Sequence, residues 1–363
     1  MVDCIVGRVL GSLRLVDFRC FETLSLEVPP EGLLLVGGNA QGKTSILEAV
    51  CLLVRLHSPR SRRMATMVRH GCGGFGVAGE AWGDERQVRH GGRGSRLLVG
   101  GEARKGPGDY LADGGLVVWM GNEDLELVRG SGGVRRHFLD FLGSQLLPEY
   151  RGALSRYRRA LKARNLLLRD RRASGAEIDA YDELLVRHGS LLQAGREQMV
   201  NELAPRVAVA HCRIGGAEEV VTMSYRPACE GRLAESLAAA RDRDRRSGQT
   251  SVGPHRDELR LELGGMPAVD FASEGQQRTL ALAMKLAQGR LLEERREKLP
   301  VYLLDDIFGE LEPARRNALM ANLPERAQRW ITTTHLDWLD DANPASAMRR
   351  VGVVKGTVRT EGG

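Results

Sequence analysis

Apolar positions along the chain form short unbroken runs, alternating stretches and helical stripes, and these are not evenly distributed. Leu33–Val36 is an unbroken apolar run, as in a strand buried on both faces. Beyond Gly42, the apolar residues Ile46, Leu47, Val50 and Leu53 recur at helical spacing, which predicts a helix from Lys43 to Leu53. Gln87–Val88, Leu97–Val99 and Leu116–Trp119 predict further strands, so residues 1–125 read as β-rich. The glycine-rich tract Gly71–Gly108 predicts hairpins and exposed loops.

From about Glu123 the pattern changes. Phe138, Leu139, Phe141, Leu142 and Leu146 predict a helix, and "RGALSRYRRALKARNLLLRDRR" and Tyr181–Val200 predict further helices. These give two or three helices, with an antiparallel pair possible among them. They are too interrupted for a coiled-coil arm. "EEVVTMSY" reads as a strand, Arg232–Arg245 as a helix, and the polar Arg246–Gln249 as a linker back into the first domain. From Thr250 the pattern is α/β again. It gives a strand at Leu259–Leu263, a helix from Gln276 to about Lys298 and a buried strand at Val301–Leu304. Pro313 then opens a helix, and Trp330–Thr333 is one more strand. The expected fold class is α/β, with residues 1–125 and 247–363 forming one domain and 126–246 a mostly helical insertion.

Composition narrows the function classes. Hydrophobic residues at 42% and charged residues at 28% are those of a soluble globular protein. No apolar run approaches the ~20 residues that cross a bilayer. Met1–Leu10 shows no secretory signal. Six scattered cysteines lack metal-ligand spacing and suit free thiols in a reducing cytoplasm. A net charge of +6 hints at a polyanionic partner. The basic residues are nearly all arginine, which suits bidentate phosphate contacts and equally suits a GC-rich genome. They cluster as Arg151, Arg156, Arg158, Arg159, Lys162, Arg164, Arg169, Arg171 and Arg172, offset in that span only by Asp170. Arg156, Arg159 and Lys162 share one helix face and are candidates for tracking DNA phosphates. Tyr157 and Tyr181 are the main aromatics nearby, which favours duplex backbone over stacked single strands.

Candidate chemistry enters with "LLLVGGNAQGKTSILEAV", whose Gly37–Thr44 segment has the spacing G-x-x-x-x-G-K-T. Bare backbone N–H groups on a glycine-rich curl, backed by a helix N-terminus, make a phosphate cradle. Gly37, Gly38, Asn39, Ala40, Gln41, Gly42, Lys43, Thr44 and Ser45 are therefore the candidate ATP-binding residues. Lys43 would reach the β/γ-phosphates and the Thr44 hydroxyl would ligate Mg²⁺. "VYLLDDIFGEL" ends a strand in two carboxylates. Asp305 is the second candidate Mg²⁺ ligand, and Asp306 is placed to orient and deprotonate water. "SEGQQRTLALAMKLAQ" puts Ser273, Gly275 and Gln276 at a helix N-terminus, another anion site. His335, in "TTTHLDW", follows a strand and is a candidate γ-phosphate sensor.

Together these stretches resemble the ATP-binding-cassette ATPase head, and more narrowly the RecF family of DNA repair ATPases. The resemblance begins at "LRLVDFRCFETLSLEV" and continues through "GNAQGKTSILEAV", "EDLELVRG", "RRHFLD", "RYRRALKARN" and "VGPHRDEL". It ends in "SEGQQRTLALAMKLA", "LLDDIFGEL" and "ITTTH". Glu274 stands where glutamine is usual, Glu312 where aspartate is usual, Met120-Gly121-Asn122 in place of Ser-Pro, and Cys20 in place of asparagine. None of these removes a phosphate or metal ligand. The resemblance implies that Ser273 and Gly275 face a γ-phosphate held by Lys43 of a second copy, so ATP makes a homodimer. It also implies slow, DNA-stimulated hydrolysis, recognition of gapped junctions, and cooperation with RecR and RecO in loading RecA. An ATPase subunit of a membrane transporter would share the loop and carboxylates, but the basic insertion, "GPHRDE" and the missing "LSGGQ" oppose it. A small SMC relative would need longer heptads.

Overall fold

The structure is a computed structural model that describes residues 9–360, apart from 62, 113, 171, 216–218, 230 and 340–342. It divides into two compact units, Met1–Asn122 with Leu292–Gly363, and Glu123–Leu291.

In the first unit, Gly32–Val36 lies inside a six-stranded sheet. The strand order is Thr357–Thr360, Arg350–Val354, Gly32–Val36, Arg329–Thr333, Val301–Asp305 and Val117–Gly121. All neighbours are parallel except the Arg350–Val354/Thr357–Thr360 hairpin. Parallel strands are covered on both faces, which is why they read as continuous apolar runs. Leu33–Leu35 and Val301–Leu304 are fully buried. A second, antiparallel sheet runs Phe21–Glu27, Ser12–Phe18, Gly74–Ala81, Asp84–Gly91, Gly94–Val99 and Glu102–Ala103. The glycine-rich tract is therefore mostly strand. The helix Lys43–Arg55 touches strands of both sheets and is buried almost all round. That is the behaviour expected of a helix with apolar residues on every side.

The second unit holds the helices Gly132–Leu146, Tyr150–Arg169, Gly175–Gly215 and Leu233–Ser247. Its sheet comprises Val221–Arg226, Glu258–Leu263 and Met266–Pro267. The helix read as Tyr181–Val200 is far longer, running through Pro205 to Gly215. Leu203, Val207, Ala210 and Ile214 carry its buried face past the proline. The dividing point also differs from the composition-based one at 247. Gly248 caps the helix Leu233–Ser247 in a left-handed conformation (φ 65°), and Arg246–Gln249 does not return the chain to the first unit. Glu258–Leu263 pairs antiparallel with Val221–Arg226, which keeps Thr250–Leu291 in the second unit.

Buried ion pairs knit this unit. Arg164, read as part of the basic surface, is fully buried; its Nε donates to Asp182 (2.5 Å) and its Nη1 to Asp244 (2.8 Å) and the Thr250 hydroxyl (2.9 Å). Arg196 donates to Asp140 (2.8 Å), Asp257 (3.2 Å) and the Pro254 carbonyl (2.6 Å). The "VGPHRDEL" stretch is thus a structural knot. His255 Nε2 donates to the Thr250 carbonyl (2.9 Å), and its Nδ1 accepts from the Tyr157 hydroxyl (2.8 Å). Burial holds the His255 pKa below the usual histidine value. No described helix is long and apolar enough to cross a membrane.

Candidate nucleotide site

Strand Gly32–Val36 ends at Gly37, and the loop Gly37–Gly42 leads into helix Lys43–Arg55. Two glycines shape the curl. A Cβ at Gly37 would lie 2.3 Å from the Val353 carbonyl oxygen. Gly42 has φ 115°, where only glycine is at ease, and a Cβ there would lie 2.7 Å from Cys20 Sγ. The loop is braced by the hairpin at the far end of the chain. Lys355 N donates to Gln41 Oε1 (2.7 Å) and Gly356 N to the Gln41 carbonyl (3.2 Å). Lys43 Nζ arches over the curl and donates to the carbonyls of Gly37 (2.6 Å) and Gly38 (2.9 Å). Burial pulls the Lys43 pKa down, against the opposing pull of Asp306 and Asp305.

Helix and strand meet at the carboxylates. Thr44 Oγ1 donates to Asp305 Oδ1 at 2.9 Å across 261 residues of sequence. Thr332, fully buried, donates to the same oxygen (2.8 Å), and its own oxygen accepts from Asp306 N (2.9 Å). Asp306 has φ 52°, a left-handed conformation rare outside glycine. Asn122 Nδ2 donates to Glu310 Oε1 (2.9 Å) and approaches the Asp306 carbonyl at 3.4 Å. A cavity of ≈ 570 Å³ opens over this arrangement, lined by Asn39–Ser45, Asp305 and Asp306. Arg19, Cys20, Arg60 and His70 are among its other wall residues. Arg19 forks onto the buried Glu48 with two 2.7 Å bonds, which raises its pKa and fixes the wall.

The structure thus brings Gly42, Lys43, Thr44, Ser45, Asp305 and Asp306 to one cavity. His335 is not among the lining residues; its side chain is 50% exposed, with Nδ1 3.7 Å from Asp337. In the second unit, Ser273 and Gln276 form a reciprocal cap on helix Glu274–Arg296. Ser273 N donates to Gln276 Oε1 (2.6 Å) and Gln276 N to Ser273 Oγ (3.3 Å). Gly275 is half-buried in that first turn. Arg156, Arg159 and Lys162 are all exposed on helix Tyr150–Arg169, whereas Arg158 pairs with Asp140 at 2.9 Å. Arg171 lies outside the described residues. Sequence reasoning passed over Thr332, Gln41 as a brace, and Asn122. The first stands in "TTTH", where the sequence points to a strand and a candidate histidine but to no polar task for the threonine.

Relatives settle the lineage. The chain is 37% identical over 351 residues to the DNA replication and repair protein RecF of Gloeobacter violaceus, covering 91% of this chain and 93% of that protein. It is 39% identical over 363 residues to RecF of Anaeromyxobacter sp. strain Fw109-5, covering 94% and 97%. The chain belongs to the RecF family. No protein-family model matches it. A solved structure of the recombination mediator RecF with ATP superposes with a TM-score of 0.88 at 26% identity, over 100% of both chains. An SMC head domain from Pyrococcus furiosus shares the fold at a TM-score of 0.54 and 15% identity, covering 96% of this chain and 95% of that one. The α/β ATPase-head fold of RecF and SMC proteins is therefore the fold of this chain, and the RecF lineage displaces the transporter reading.

Proposed function

We propose that this RecF-family chain is an ATPase of DNA repair whose nucleotide switches it between monomer and DNA-bound homodimer. The 2.9 Å bond from Thr44 to Asp305, at the floor of the cavity that Lys43 overhangs, carries the reading. Loop backbone N–H groups and Lys43 would receive the phosphates of ATP. Thr44 Oγ1 and Asp305 Oδ1 are hard oxygen donors side by side, which fits Mg²⁺. Mg²⁺ held there would neutralise phosphate charge. Asp306 would orient water and accept its proton. His335 would read the γ-phosphate after local rearrangement. As functional parts the ATPase head would comprise residues 1–125 with 247–363 and the arm 126–246, although Thr250–Leu291 belongs by packing to the second compact unit. Ser273, Gly275 and Gln276 would complete the site of a second copy, their N–H groups capping its γ-phosphate. Arg156, Arg159 and Lys162 would track duplex phosphates. Hydrolysis would be slow and stimulated by gapped DNA, and the chain would work beside RecR and RecO and assist in loading RecA in the cytoplasm; its likeness to DNA replication and repair proteins and to a recombination mediator of the RecFOR pathway supports the repair role.

Light scattering with ATP tests the switch. Wild type should dimerise, Lys43→Arg and Ser273→Arg should stay monomeric, and Asp306→Asn should accumulate as dimer. A normal ATP-dependent dimer from Ser273→Arg would refute the capping role. Hydrolysis unaffected by gapped duplex would refute the coupling to DNA.

A further inference from the structure

The glycine-rich tract has no part in the nucleotide site, yet its hairpin Asp84–Gly91/Gly94–Val99 carries a charge arrangement that needs explaining. Its tip reads "RHGGRGSR", Arg89 to Ser95 and Arg96. Arg89 and Arg96 are direct cross-strand partners, both exposed. Side chains so placed have Cβ atoms about 5 Å apart, and like charges there are destabilising. Arg93, also exposed, stands in the two-residue turn closed by Gly91 and Gly94. No carboxylate pairs with any of the three among the described residues. The single side-chain hydrogen bond found for them there runs from Arg89 Nη2 to Gln87 Oε1 (2.8 Å). Asp84 and Glu85 sit at the other end of the strand, where Glu85 pairs with Arg14. The tip is nonetheless well fixed. His90 and Ser95 share a 2.9 Å hydrogen bond across it, and the His90 ring packs on Phe75 at 5.6 Å.

Three guanidinium groups presented together on a braced ribbon, flanked by glycines with nothing within 4 Å at Gly92 and Gly94, suit a polyanion that approaches closely. The guanidinium fork matches phosphate oxygens two at a time. No aromatic residue lies between Arg89 and Arg96 to stack on bases, which favours the paired backbone over single strands. We infer that this hairpin tip is a second phosphate-contact surface for duplex DNA, separate from the helical Arg156/Arg159/Lys162 stripe. The inference shares its ligand with the proposed function but places the contact on the other unit.

The test compares Arg89→Gln/Arg93→Gln/Arg96→Gln with Arg156→Gln/Arg159→Gln/Lys162→Gln, by anisotropy of a labelled duplex between 50 and 200 mM salt. Each lost phosphate contact lowers the slope of log K against log salt by about 0.9, so the hairpin triple should lose up to about 2.7. The matching Arg→Lys triple should keep most of the slope, because it keeps the charge. ATP hydrolysis without DNA should be unchanged, which shows the fold is intact. An unchanged slope in the hairpin triple alongside a reduced one in the helical triple overturns this inference alone. Loss of binding only to an RNA duplex or to phosphatidylserine vesicles also overturns it. If wild type binds duplex with no salt dependence, the DNA-binding reading falls with it.

Discussion

Thr332 is where a single oxygen can be asked what it contributes. Thr332→Val preserves shape and removes a hydroxyl that serves Asp306 N at 2.9 Å and Asp305 Oδ1 at 2.8 Å. Leaving the Asp306 N–H without a partner costs about 1–3 kcal/mol, and the lost bond to a carboxylate about 1.5–3 kcal/mol. Thr44 still serves the same Asp305 oxygen, so the second loss is partial. Asp306 also holds a left-handed conformation that costs roughly 1–2 kcal/mol by itself. Without its N–H tether it is free to relax and turn its carboxylate away. If about 1.4–2.8 kcal/mol of this appears in the transition state, kcat falls about 10- to 100-fold. ATP affinity, which the proposed function assigns to the loop and Lys43, should stay within about threefold. Phosphate release with saturating ATP and gapped duplex gives kcat, and a fluorescent ATP analogue gives affinity. Thr332→Ser restores the hydroxyl and should recover most of the rate. A Thr332→Val protein that hydrolyses ATP at the wild-type rate, while Asp306→Asn does not, would refute the tether. So would a Thr332→Ser protein as impaired as the valine variant.

Other outcomes follow from the same geometry. Gly42→Ala should abolish nucleotide binding in an analogue titration, because its Cβ meets Cys20 and Phe21 at a backbone angle that alanine avoids. Arg164→Met should destabilise the second unit by about 3–5 kcal/mol in a denaturant melt, since the fully buried Asp244 loses its cation, whereas the half-buried Asp182 keeps Arg241. His188, His211 and His255 all have pKa values lowered by burial, so the folded state binds fewer protons than the unfolded chain. Stability should be full above about pH 6.5 and decline as pH falls below it, levelling off under the folded values. His255→Gln should make the drop in melting midpoint between pH 7.5 and 5.5 smaller. An identical drop would remove His255 from the account.

The phosphate loop and the paired carboxylates were legible because each is local. A strand, a curl and a helix follow one another within Leu33–Leu53, and Asp305-Asp306 ends an apolar run. What was not legible depends on partners far along the chain. Gln41 meets Lys355 across 314 residues, and nothing around either announces it. Arg164 looked like surface charge because its carboxylates come from other helices, 18 and 80 residues away. Thr332 sits in a strand, where threonine is ordinary on propensity alone, so its polar task was hidden. The expected helix ends at Val200, yet an apolar stripe carries it past Pro205 to Gly215. The dividing point at 291 escaped notice because a polar turn such as Arg246–Gln249 marks a break in secondary structure, and only strand pairing shows to which unit the next strand belongs.

Strand Gly32–Val36 is flanked on both sides by strands made hundreds of residues later, Arg329–Thr333 and Arg350–Val354. On the ribosome, at ~5–20 residues per second, that early strand waits roughly 15–60 s for its neighbours. A nascent chain therefore carries a recognisable phosphate-loop sequence with no pocket around it. Under the proposed function, nucleotide capture would wait until both flanking strands have been made, and half-made copies would be barred from pairing with longer ones through ATP.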